Sequence, residues 1–157
     1  FAWVGGTAFG AGRGEQLESL RLEAPFRAVV AMPAWRVSTG EAFRRLDARR
    51  NSLTHSALAM RFTSFRRRGT VNPLAASRLG NSFEAALGSR RRSFDSLCAR
   101  LRAAGVLEPR LTGSGSGVYG IVPEDRSFRE VTGRFVGDEP LYAVRSMTTG
   151  LRSTSRP

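Results

Sequence analysis

The spacing of apolar positions changes several times along the chain, and each change marks an element. "FRAVVAMP" (26–33) is dense in apolar and β-branched residues and stops at Pro33, the pattern of a strand. "GEAFRRLDARR" then predicts a helix, with Ser38 or Thr39 as its N-cap and Glu41 in its first turn. "THSALAMRFTSFRRR" keeps Leu58, Phe62 and Phe65 on one helical face and ends at Gly69. "NPLAASRLGNSFEAAL" reads as two short helices broken at Gly80, with Asn72 ahead of Pro73 and Asn81 ahead of "SFE" as start signals. From Ser93 to Ala104, Phe94, Leu97 and Leu101 share one stripe, and Gly105 supplies the stop. Strands around 108–112 and 117–122, a helix at about 124–136 and a strand at 140–147 complete the folded part.

Strand, helices, two strands, helix, strand is the order of an α+β domain. It predicts an antiparallel sheet with helices on one face, the split βαβ of ferredoxin-like folds. Residues 1–25, with five glycines between Gly5 and Gly14, read as a loop-rich lead-in, 26–147 as the domain, and 148–157 as a polar, disordered tail.

The composition fits this picture: 157 residues, 41% hydrophobic and 24% charged, is one globular domain. No apolar run is long enough for a membrane span and none resembles a secretory signal, so the expectation is a soluble protein of the cytoplasm. Cys98, the lone cysteine, lies in the helical phrase "SLCARL" and reads as a small buried residue. His55, the lone histidine, has no ligand-spaced companions, and no protein-held metal site is expected.

Charge opens a second function class. The net charge is +12, from 25 basic residues, all arginine, against 13 acidic ones; this raises an Arg-rich nucleic-acid-binding module as an alternative, while the expectation is no specific nucleic-acid partner and no membrane partner. The clusters "FRRRG" (65–69) and "SRRRSF" (89–94) fall at predicted helix ends, where basic runs also serve as solvated faces that complement the helix dipole. A nucleic-acid site would reveal itself by tight binding that weakens steeply with salt.

The chemistry-bearing phrase is "RLTGSGSGVYGIVP" (110–123). It contains the letters G-x-G-x-x-G, but the dinucleotide fingerprint needs a helix after the glycines, and "GVYGIV" is strand-like. A Walker A loop needs Gly-Lys-Ser/Thr, which a chain without lysine lacks. Two readings survive: a Gly/Ser hairpin turn, or a nest of backbone amides that holds an anion with help from the Ser114 and Ser116 hydroxyls.

Read together, "GGTAFGAGRGE", "VVAMPAWRVSTGEAF", "GNSFEAAL" and "RLRAAGVLEPRLTGSGSG" resemble the second half of the GHMP small-molecule kinases, over residues 1 to about 147. The resemblance implies an ATP-dependent phosphotransferase acting on an alcohol, with Mg²⁺ arriving on the ATP phosphates. It assigns Gly113, Ser114, Gly115 and Ser116 to phosphate binding. It assigns Thr39 and Phe43 to the wall of a pocket for a small-molecule cytidine diphosphate substrate, Phe43 stacking on the base; an ordinary core role for Phe43 stays open. Arg13, in "GRGE", is a lesser ligand candidate. The family's nucleotide-binding motif and its catalytic Asp lie upstream of the region matched here, in an N-terminal domain of the same kinase, so no catalytic residue is assigned and a chain of this extent is expected to be inactive alone.

Overall fold

The computed structural model describes residues 6–12, 14–49 and 56–147. Two sheets organise them. The first is a hairpin of β1 (Thr7–Ala11) and β2 (Gln16–Leu22), with Thr7 opposite Leu20 and Ala11 opposite Gln16, extended by β4 (Thr70–Val71), which runs parallel to the end of β2. The lead-in expected to be loop-rich therefore carries two strands. Gly12 and Gly14, at φ +65° and +99°, make the turn between them. The period-two signal is weak here because β2 is solvated on both faces, with Leu20 its one buried residue. The 148–157 tail, Arg13 and His55 lie outside the described residues.

The second sheet has the order β5–β6–β3–β7, every pair antiparallel: β5 (Leu107–Leu111), β6 (Val118–Val122), β3 (Arg27–Ala31) and β7 (Leu141–Arg145). In chain order this is strand, helices, strand, strand, helix, strand, the ferredoxin-like arrangement expected from the sequence. Helices α4 (Arg91–Ala103) and α5 (Phe128–Arg134) cover one face. The core joins Val29, Ala31, Leu111, Val118 and Val122 of the sheet to Phe94, Leu97 and Leu101 of α4 and Val131 of α5. Leu97 is fully buried, so its truncation to Ala removes about 2–5 kcal/mol. Cys98 sits in the same layer, and burial pushes its thiol up to about 11, so it is a structural residue and not a nucleophile at neutral pH.

Local chemistry explains the boundaries. The α5 helix starts later than the pattern suggests because Ser127 and Glu130 form a capping box, and the turn before it is held by Arg27, whose Nη2 donates to the carbonyls of Pro123, Glu124 and Arg126 at 2.8–2.9 Å. Pro109 lies on edge strand β5 where the register shifts between Leu107 and Arg110, a position that needs no ladder N–H. The remaining helices are α1 (Thr39–Arg49), α2 (Ser56–Arg68) and α3 (Pro73–Ser77), followed by short 3₁₀ turns at Ser82–Ala86 and Gly88–Arg90. Asn72 caps α3 through Ala75 N at 3.0 Å. The arginines at the end of α2 are exposed, and Arg66 pairs with Glu18 at 2.6 Å. Arg91 pairs with Asp95 one turn on. Among the described residues no helix is long and apolar enough to cross a membrane.

Candidate functional site

Sheet register brings the candidate residues to one end of the domain. Ala31, the last residue of β3, lies opposite Val118, the first of β6. The segment leaving β3 toward α1 and the glycine loop entering β6 therefore emerge side by side. Val37 touches the loop directly: a Cβ on Gly115 would stand 3.2 Å from Val37 Cγ2 and 3.4 Å from Leu111 Cδ1. Met32 Sδ would lie 3.4 Å from a Cβ on Gly117.

The α1 helix starts at this junction. Ser38 O accepts from Ala42 N at 2.9 Å and Ser38 Oγ lies 3.4 Å from Glu41 N, so Ser38 is the cap and Thr39 opens the first turn. Freed from capping, Thr39 Oγ1 lies 2.9 Å from Ser114 Oγ, which joins the two sets of residues that the sequence assigned separately. One turn further on, Phe43 is 51% exposed, which removes its core alternative. Its ring meets Phe83 edge-to-face, centroids 4.9 Å apart and planes at 85°. Phe43 thus offers an aromatic surface to solvent while Phe83 fixes its back.

In the loop itself, Gly113 is exposed, Ser114 and Gly115 are half-buried and Ser116 is buried. Thr112 N donates to Gly117 O at 2.9 Å and Gly115 N to Thr112 O at 3.1 Å. The Gly115 amide is thereby used within the loop. The amides of Gly113, Ser114 and Ser116 donate to no described residue. Three backbone donors and two serine hydroxyls suit a phosphate or another oxyanion. A polar hollow of about 160 Å³ adjoins Thr39 through Ser38, and its lining includes Arg36, Arg45 and Arg90 against one acid, Glu41, so basic side chains outnumber acidic ones around it. Glu41 and Arg45 pair with each other.

Sequence reasoning missed the support behind the loop. Asn81 Nδ2 donates to Leu111 O at 2.9 Å and Gly113 O at 2.7 Å, while Oδ1 accepts from Phe83 N at 2.9 Å. Glu84 Oε1 accepts from Leu111 N at 3.1 Å. The available signal was the cap itself, since Asn brings an NH₂ that Ser or Asp lacks. A separate apolar groove of about 490 Å³, lined by Phe9, Leu20, Phe62, Phe65 and Leu79 among others, shares no residue with this site. Among the described residues no group of three His, Cys, Asp or Glu side chains could hold a metal ion.

No protein-family model matches the chain. Among curated proteins it is 32% identical over 152 residues to the 4-diphosphocytidyl-2-C-methyl-D-erythritol kinase of Pelotomaculum thermopropionicum, covering 96% of this chain and 52% of that protein. It is also 32% identical over 135 residues to the enzyme of that name from Moorella thermoacetica, covering 85% and 47%. The chain is homologous to these kinases. It spans about half the length of the curated relatives it matches. A crystal structure of 4-(cytidine 5′-diphospho)-2C-methyl-D-erythritol kinase superposes with a TM-score of 0.58 at 26% identity, covering 88% of this chain and 48% of that one. Homoserine kinase from Cytophaga hutchinsonii gives 0.64 at 14% identity over 95% and 50%, a likeness of fold alone. The α+β architecture is thus that of the GHMP kinases, in the half that forms their C-terminal domain.

Proposed function

We propose that the chain is the C-terminal portion of an ATP-dependent kinase that phosphorylates the 2-hydroxyl of 4-diphosphocytidyl-2-C-methyl-D-erythritol, in the non-mevalonate route to isoprenoids. Phe43 stacks on the cytosine, Thr39 lines the same pocket, and the loop Gly113–Ser116 grips phosphate oxygens. The observation that carries this reading is the 2.9 Å contact between Thr39 Oγ1 and Ser114 Oγ, which makes one continuous surface of the base wall and the anion loop.

ATP supplies the phosphoryl group, with Mg²⁺ bound to its phosphates. The residues present fit the phosphate-holding share of that work: the amides of Gly113, Ser114 and Ser116, which have no partner among the described residues, and the two serine hydroxyls are hydrogen-bond donors of the kind that holds phosphate oxygens. Phosphoryl transfer depends mainly on positioning and charge neutralisation, so a half-site contributes alignment and needs the remaining half to turn over. That half is the portion of the relatives' length that this chain does not span, and we assign to it the principal nucleotide cradle and the general base. We assign residues 26–147 to the C-terminal domain of that kinase and residues 1–25 to the lead-in from its N-terminal domain. We also place the protein in the cytoplasm, where ATP and the cytidylyl substrate would meet it.

The test is a chimaera joining the first half of the Pelotomaculum kinase to this chain, assayed for ATP-dependent phosphorylation of the cytidylyl substrate. The expected result is turnover by the chimaera, none by the 157-residue chain alone, and a loss of activity in the chimaera on Phe43→Ala. Turnover by the chain alone, or a folded chimaera that binds ATP and is inert toward the substrate, overturns the assignment.

A further inference from the structure

We infer that Asn81 is the positioning residue that aligns the glycine loop with the aromatic wall, an inference that rests on the base and phosphate assignments above. Its side-chain amide binds on both sides. The Nδ2 group donates to Leu111 O and Gly113 O, at 2.9 and 2.7 Å, where β5 passes into the loop. The Oδ1 atom accepts from Phe83 N at 2.9 Å, and the Phe83 ring backs Phe43. One planar amide, with two donor hydrogens and an acceptor oxygen, thus fixes the phosphate side and the base side relative to each other.

The contact with Gly113 also sets the direction of a donor. In a trans peptide the carbonyl and the following N–H point to opposite sides of the chain. Holding Gly113 O against Asn81 therefore turns the Ser114 N–H away from Asn81. That amide has no partner among the described residues and belongs to the serine whose hydroxyl meets Thr39. Glu84 completes the clip by accepting from Leu111 N, so both polar groups of Leu111 are held by side chains of one 3₁₀ turn.

Capping alone does not select asparagine. Ser and Asp cap about as well as Asn, but a serine hydroxyl cannot donate to two carbonyls, and an aspartate would set a carboxylate against them. Asn81→Ser keeps a cap and removes the link. Asn81→Asp keeps the cap and the size, and serves if the serine variant does not fold.

The experiment compares the 157-residue chain with these variants in two ways. Titration with cytidine and with cytidine diphosphate measures how much affinity the phosphates add. Amide hydrogen exchange follows the hydrogen-bonded amides of the loop, those of Thr112 and Gly115, alongside core amides such as those of Leu97 and Leu101. In Asn81→Ser the gain from the diphosphate is expected to fall about ten-fold while cytidine affinity changes less than about two-fold, as loss of one or two hydrogen bonds implies. Loop amides exchange faster and core amides do not. Equal weakening of both ligands with faster core exchange would show a merely structural role and overturn the inference, as would unchanged loop exchange. If the parent chain binds neither ligand, the base and phosphate assignments fail, and loop exchange alone decides whether Asn81 aligns the loop.

Discussion

Substituting Phe43 separates stability from recognition, because its ring is half in solvent. A buried Phe removes 150–250 Å² from water, so with 51% exposure the ring covers roughly 100 Å² and its complete truncation costs at most about 2.5 kcal/mol. Phe43→Leu keeps most of that packing against Phe83, and such swaps cost less than about 1.5 kcal/mol. It does remove the π face. A stacked base is worth about 1–3 kcal/mol, so cytidine affinity should fall roughly 5- to 150-fold in the leucine variant. Thermal melts and calorimetric titration with cytidine, on the parent chain and on Phe43→Leu, read the two effects independently. A melting temperature within a few degrees of the parent, together with the loss of affinity, is the expected pair. Unchanged cytidine binding would refute the stacking role. Destabilisation of the 3–5 kcal/mol size typical of core aromatics would refute the reasoning from exposure.

Gly120→Ala should destabilise the domain by about 1–3 kcal/mol, since its Cβ would stand 2.3 Å from Val106 Cγ1, 3.1 Å from Leu107 O and 3.3 Å from Pro109 Cα; a melt equal to the parent's would contradict the close packing of β6 on β5. Acid should weaken the fold at the link between α4 and the segment before β7. Hydrogen bonds from Arg100 hold the Glu139 carboxyl below its usual range, so its stabilisation is complete above the unfolded pKa and is lost as pH falls through the folded one. Melting temperatures of the parent should therefore decline from about pH 5 downward more steeply than those of Glu139→Gln, and parallel curves would remove Glu139 from the acid response.

Where a strand or helix buries one face, the sequence announced it. The apolar density of 26–33 became β3, and the stripe of Phe94, Leu97 and Leu101 became the buried face of α4. The β1–β2 hairpin escaped because burial imposes almost no alternation on it, and its turn glycines read as looseness when they are places of positive φ. The site was legible in parts. Thr39, Phe43 and Ser114 stood out by type and by resemblance, yet their meeting depends on the register of Ala31 against Val118, a tertiary fact absent from local spacing. Asn81 was legible only as a cap because its second role lies across 30 residues of chain, in the carbonyl of Leu111.

The glycines of the loop alone do not decide between a turn and an anion site, since each has a structural cause. Gly113 and Gly115 hold φ of +57° and +107°, where a side chain is strained, and a Cβ on Gly117 would come within 2.8 Å of Thr112 Cγ2. A chain that needed only to reverse direction between β5 and β6 has a shorter solution, the two-residue hairpin turn. Here the reversal occupies the residues between Leu111 and Val118 and is held from outside by Asn81, Glu84 and Thr39. Ordering a loop costs conformational entropy of about 1–2 kcal/mol per residue, and side-chain bonds that fix its carbonyls offset that cost without using the amides of Gly113, Ser114 and Ser116. A loop ordered in advance, with three amides unclaimed by any described residue, gives up little further entropy when an anion arrives. That property favours the phosphate-gripping reading over the plain hairpin.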